Sequence, residues 1–122
     1  MQALVDGAVG EGGPAVGLRV VGEFSQLEPE AELAVYRVAQ EGLTNALRHA
    51  DAAEILLELS ASADGIRLTV RDNGRGFHPT DAEGPGLRGM RERALLVGAD
   101  LTIESQPRGG VTIHLDVPAE VR

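Results

Sequence analysis

The chain has 122 residues, 43% of them hydrophobic and 25% charged, a balance that suits one folded domain with a single core. A surplus of 19 acidic over 11 basic residues leaves a formal charge of −8, which opposes non-specific binding to a nucleic-acid backbone. Cysteine is absent, which excludes disulfides, a thiol nucleophile and Cys-ligated zinc; every basic residue is Arg, which excludes a Walker A lysine and a Schiff-base lysine.

Phe24, Tyr36 and Phe77 are the only aromatic residues, so the core is expected to be aliphatic. No basic flank with an apolar h-region marks a signal peptide, and no apolar run has the length of a membrane span. Residues 1–17 are expected to be a loosely ordered lead-in, because 6–17 are Gly-rich and weakly patterned. Leu18 to Phe24 reads as a strand, and Gln26 to Pro29 as a turn, with Pro29 suited to open a helix. From Glu30 to Ala50, Leu33, Tyr36, Leu43 and Leu47, with Ala39 and Ala46 between them, recur at steps of three and four and predict a long amphipathic helix.

Ile55 to Leu59 and Ile66 to Val70 read as two strands joined by a turn at Ser62-Ala63-Asp64-Gly65. Arg71 to Glu83 is polar and rich in Gly and Pro, a loop long enough to suggest function or disorder. A second amphipathic helix is predicted over Leu87 to Val97, closed by Gly98. Two more strands, Leu101 to Ser105 and Val111 to Val117, meet at a turn over 107–110. This order predicts an α+β fold, a two-layer sandwich with a mixed sheet packed on helices.

Three segments could carry chemistry. Arg37, Glu41, Asn45 and His49 stand four apart on the long helix, with Arg48 beside them. The stripe fits a solvated face, and it equally fits a surface for a divalent metal and phosphate. Mg²⁺ takes oxygen ligands and keeps most of its waters, so one Asn carbonyl plus phosphate oxygens can hold it. Asp72-Asn73-Gly74-Arg75-Gly76-Phe77 follows a strand; it fits a plain turn, or a backbone that lets a ligand come close beside an acceptor for an exocyclic amino group. Gly84-Pro85-Gly86-Leu87-Arg88-Gly89 matches G-x-G-x-x-G and opens a helix, but no strand precedes it directly and no parallel βαβ pattern surrounds it, which argues against a dinucleotide fold. What remains is a Gly-rich helix start whose N–H groups can face an anion.

In this order the three segments resemble the N, G1 and G2 boxes of the ATP-binding catalytic domain of two-component sensor histidine kinases, in the GHKL (Bergerat) ATPase superfamily. The first runs from Tyr36 to Ala50, the second from Asp72 to Phe77 and the third from Gly84 to Arg93. The wording is most similar to the subfamily that pairs with NarL/LuxR-type response regulators, and the resemblance covers about Leu18 to Pro118. It implies a single ATP-binding domain over 1–122 with the Bergerat fold. It also implies Asn45 as the Mg²⁺ ligand, Glu41 as the catalytic acidic residue, and Asp72 as acceptor for the adenine amino group. Gly74 and Gly76 would let the nucleotide lie against the strand end. Residues 77–88 would form a lid, and Gly84, Gly86, Leu87 and Gly89 would lie by the phosphates together with Arg48 and His49.

Two departures from the family pattern stand out. Where the family often has Gly-Thr in the last motif, this chain has Gly110-Val111, with Thr112 as a possible substitute in the adenine network. The histidines, His49, His78 and His114, do not lie in an upstream helical hairpin, so the phosphoacceptor is expected on a separate dimerisation domain and the chain is expected to be a fragment or an isolated domain. The resemblance implies transfer of the ATP γ-phosphate to that histidine, a response regulator downstream, and a cytoplasmic setting with neither nucleic acid nor membrane touching this chain. An anti-sigma-factor-type serine kinase and a non-catalytic ATP-sensing module are the alternatives.

Overall fold

The structure is a computed structural model that describes residues 15–22, 28–49, 54–74, 85–106 and 109–118. In chain order these form β1 (Ala15–Val21), α1 (Pro29–His49), β2 (Glu54–Ser62), β3 (Gly65–Asp72), α2 (Pro85–Leu96), β4 (Asp100–Gln106) and β5 (Gly110–Pro118). One five-stranded sheet has the order β1-β2-β3-β5-β4. β1 runs parallel to β2, with α1 as the crossover between them, and every other neighbouring pair is antiparallel. The expected mixed sheet in an α+β sandwich is the fold observed.

Register explains why one face is dry. Leu57 stands opposite Val70, which stands opposite Ile113; Leu59, Leu68 and Leu115 form the next such row. Side chains opposite one another share a face, so the period-2 apolar residues of three strands build one apolar wall. Ile55, Leu57, Leu68, Leu115 and Val117 on that wall are almost wholly excluded from solvent. Each fully buried side chain of this size contributes about 1.5–3 kcal/mol. The other face is polar. Arg67 Nε lies 2.7 Å from Asp116 Oδ1, Arg19 Nε 3.6 Å from Glu58, and Thr69 Oγ1 shares a 3.0 Å hydrogen bond with His114 Nδ1. The Asp116 carboxylate, by hydrogen bond and by charge, raises the Arg67 pKa above its usual value.

Helix α1 covers the wall. Glu28 stands just ahead of Pro29, and its carbonyl accepts the Glu32 N–H at 2.9 Å; Glu30 and Glu32 place acid charge in the first turn, where the helix dipole favours it. The buried stripe is Ala31, Val35, Val38, Ala39, Leu43 and Ala46. This corrects the stripe predicted from the larger residues: Leu33 is 50% exposed, and Tyr36 and Leu47 are exposed as well. Small residues win the inner face because α1 lies close to the sheet. A Cβ at Gly42 would stand 3.2–3.3 Å from the Cβ and both γ-methyls of Val70.

Helix α2 packs on α1 and β4 through Met90 and Ala94. It ends in a Schellman motif, with Ala99 N–H donating to the Ala94 carbonyl at 2.9 Å and Gly98 N–H to the Leu95 carbonyl at 3.2 Å. Gly98 takes φ +65°, so the predicted glycine stop is the one used. Strand ends differ more from expectation. β1 begins at Ala15, inside the segment expected to be loose, and Arg71 and Asp72 belong to β3 rather than to a loop. The reason is pairing: Ala15 lies opposite Glu54, and Asp72 opposite Ile55. The β2–β3 turn centres on Ala63-Asp64, with Gly65 already paired to Ser62.

Overpacking at the α1–β3 contact should destabilise the protein. Gly42→Leu is expected to cost about 1–3 kcal/mol, a fall in Tm of roughly 4 °C or more. Adding Val70→Ala should recover part of it, and an unchanged melting curve for the single variant would show that α1 is not seated on Val70.

Candidate functional site

Asp72 ends β3 with its side chain on the helix-bearing side of the sheet, since it is paired with Ile55. It is a carboxylate only 7% exposed. Burial of that kind is tolerated when hydrogen bonds replace water. Here Gly74 N–H donates to Oδ1 at 2.9 Å and Val111 N–H donates to the same oxygen at 3.3 Å. Oδ2 takes part in neither bond. The next residue ties the strand end down from the other side: Glu54 N–H donates to Asn73 Oδ1 at 2.9 Å, and Asn73 N–H donates to the Glu54 carbonyl at 3.2 Å.

The N-box helix ends near this carboxylate. Glu54 is hydrogen-bonded to Asn73 and adjoins the Ile55–Asp72 pair, and only residues 50–53 separate it from the last residue of α1, His49. The five steps from His49 to Glu54 reach at most about 18 Å of extended chain. Asn45 and Glu41, both half-buried, therefore belong to the Asp72 end of the sheet, on the flank of α1 beside its core stripe. Arg37, on the same stripe, is exposed and donates to Gln40 Oε1 at 3.3 Å on its own helix. Among the described residues, no group of three or more His, Asp or Glu stands ready to hold a metal. Asn45 with Glu41 one turn away suits a hard cation that takes its other ligands from phosphate and water.

The start of α2 is brought to the same end. Its C-terminus turns through Val97–Ala99 into Asp100, which lies opposite Asp116 at the far end of the sheet from Arg71 and Thr112. A helix of 12 residues, about 18 Å long and packed on β4, therefore begins on the Asp72 side. Its first-turn N–H groups have no intrahelical acceptor. Gly86 and Gly89 are both within α2, and among the described residues a Cβ at Gly89 would meet nothing within 4 Å. Leu87 is half-buried against the core, so its side chain serves packing.

Thr112 lines one cavity together with Asp72, but its side chain does not share Asp72's face of the sheet. It pairs with Arg71 and Glu104 and points to the polar face of the sheet, while Val111 occupies the register position on Asp72's side. Alternation along β5 makes the two positions mutually exclusive. Gly76, Gly84, His78 and residues 77–84 of the expected lid lie outside the described residues, as do the side chains of Arg48 and His49. Two residues that reasoning from sequence passed over matter here. Asn73 clamps β3 to β2, and Gly110, at φ +83°, has no room for a Cβ, which would stand 2.0 Å from the Asp72 carbonyl oxygen. The only sequence signal for either was the density of Asn and Gly beside strand ends.

Comparison with known proteins identifies the family and the fold. Residues 30–121 match the family described as histidine kinase-, DNA gyrase B- and HSP90-like ATPases. The signal transduction histidine-protein kinase/phosphatase DegS of Bacillus subtilis is 37% identical over 101 residues, covering 79% of this chain and 26% of DegS. The sensor protein VraS of Staphylococcus epidermidis is 36% identical over 107 residues, covering 84% of this chain and 31% of VraS. The chain thus spans between about a quarter and a third of the length of these relatives. Among solved structures, the histidine kinase domain of the Erythrobacter litoralis EL346 blue-light activated histidine kinase superposes with a TM-score of 0.77 at 26% identity, over 98% of this chain and 57% of that one. The chain belongs to the histidine kinase-, DNA gyrase B- and HSP90-like ATPase family, as an ATP-binding domain of the histidine-kinase kind.

Proposed function

We propose that residues 1–122 act as one catalytic unit that delivers the γ-phosphoryl group of ATP to a histidine on a separate helical dimerisation domain of a parent kinase, which then serves a response regulator of the NarL/LuxR type. The observation that carries this reading is Asp72. Its carboxylate has one oxygen engaged by two backbone amides and sits at the sheet end shared by Asn45 and the start of α2. An acceptor so held suits the exocyclic amino group of adenine and disfavours the carbonyl that guanine carries at the same position. Phosphoryl transfer asks little covalent chemistry of the protein and much positioning and charge screening. Asn45 would hold Mg²⁺, which when bound neutralises phosphate charge. Glu41 would orient the reacting groups beside it. The first turn of α2 would offer N–H groups to the phosphates. In the transfer the bond from the γ-phosphorus to the ADP oxygen breaks, a bond to the acceptor imidazole nitrogen forms, and ADP leaves. Among the described residues no helix is long and apolar enough to cross a membrane. We place the domain on the cytoplasmic side of its parent.

Three variants test the reading. Asp72→Asn keeps an oxygen for Gly74 and Val111 but turns an NH₂ toward the base. ATP affinity is expected to fall roughly ten- to hundredfold, with GTP gaining relative to ATP in calorimetric titrations; near-parental ATP binding would remove the adenine assignment. With a supplied acceptor domain and labelled ATP, Asn45→Ala should abolish formation of the acid-labile phosphohistidine, and undiminished transfer would exclude the metal role. An acid-stable phosphoserine product would instead reassign the chain to the serine kinases. Gly89→Ala separates binding from folding: stability should hold or rise by up to about 1 kcal/mol from helix propensity, while ATP affinity falls. Unaltered affinity would mean that the phosphates do not approach Gly89.

A further inference from the structure

The turn between β4 and β5 does more than join two strands. Val111 N–H points away from β4 and finds its acceptor on Asp72 Oδ1. That approach depends on Gly110, whose α-carbon is so close to β3 that a Cβ would lie 2.0 Å from the Asp72 carbonyl oxygen, 2.9 Å from its carbonyl carbon and 3.1 Å from the Asn73 Cα. Its φ of +83° is also a conformation that side chains resist. Any residue with a side chain at 110 must lift the turn away from the β3 end, and the Val111 amide leaves with it.

From this contact we infer that Gly110 is a specificity-positioning residue: by seating the Val111 amide on one oxygen of Asp72, it fixes the carboxylate rotamer and so directs the second oxygen at the base. Two donors, Gly74 N–H and Val111 N–H, converge on Oδ1, one from the residues after β3 and one from the β5 start. With both in place, turning the Asp72 carboxylate about its Cβ–Cγ bond away from this orientation breaks two hydrogen bonds. With Gly74 alone, one bond resists it. The contact uses the main chain, so it is indifferent to the identity of the side chain at 111, and the valine there leaves it intact.

The inference rests on the adenine reading of Asp72, and its experiment keeps the two separable. Amide hydrogen exchange without nucleotide is measured for the parent chain and for Asp72→Ala, with Leu115 N–H in the middle of β5 as internal reference. Removal of the acceptor should speed exchange at Val111 at least tenfold and leave Leu115 unaffected. Equal exchange at Val111 in both proteins would overturn the inference. In parallel, the ratio of ATP to GTP affinity is measured for the parent, Asp72→Asn and Gly110→Ala. A folded Gly110→Ala protein should lose most of the parental ratio, moving toward that of Asp72→Asn, whereas retention of the parental ratio would overturn the inference. If Gly110→Ala does not fold, the exchange comparison decides. An unchanged ratio in Asp72→Asn would remove the adenine reading, and with it the role in specificity, even where the exchange result holds.

Discussion

A carboxylate at the end of a buried strand needs hydrogen-bond donors in place of water, and the way Asp72 is surrounded organises this protein. Its Oδ1 draws in the residue two places along, Gly74, and the first residues of a strand almost forty positions away. Its neighbour Asn73 closes both hydrogen bonds with Glu54 at the start of β2. Three segments distant in sequence are thereby fixed around one side chain. The hydrophobic wall below supplies most of the stability, but it is the carboxylate that sets which backbone groups meet at this end of the sheet.

The sandwich supplies the remaining parts by simple geometry. A parallel β1–α1–β2 crossover sends the C-terminal end of α1 back to the start of β2, beside the end of β3. An α2 helix that leads directly into β4 at the far edge must begin at the near one. Asn45, Asp72 and the first turn of α2 are brought to one side by connectivity, with short links enforcing it. The polar face behind them, with its Arg67–Asp116 and Thr69–His114 pairs, takes no part in this assembly.

Much of this was legible in the residues. The period-2 alternation of Ile113, Leu115 and Val117 and the glycine stop at Gly98 carry strong local signals, and both elements formed where the chain announced them. The inner face of α1 is only partly the expected one: Ala39, Leu43 and Ala46 are buried as the spacing predicts, whereas Leu33, Tyr36 and Leu47 are exposed. Leu33 and Tyr36 are the larger residues, yet a helix resting on Val70 through Gly42 has room mainly for Ala and Val. The start of β1 was hidden because Gly17 and the Gly-rich residues before Ala15 mask the signal of Val16, and Ala15 to Gly17 are held by pairing with β2. Thr112 was a natural candidate for the site by proximity in sequence, but facing direction alternates with every residue of a strand, and a shift of one position places its hydroxyl on the wrong side. Asn73 and Gly110 were hidden for a different reason: their roles are contacts between segments distant in sequence, for which Asn and Gly beside strand ends are only a weak signal.

The glycine at position 42 carries a consequence of its own. Val70, against which α1 rests, lies two residues before Asp72 on the same strand and the same face, while Asn45 lies one helical turn beyond Gly42. A single van der Waals contact between backbone and valine is thus the ruler that separates the amide from the carboxylate. Long flexible side chains would blur such a measurement; a bare α-carbon against a branched one does not. On the proposed function, the span open to a nucleotide held between these two groups is therefore written into the seating of one helix on one strand.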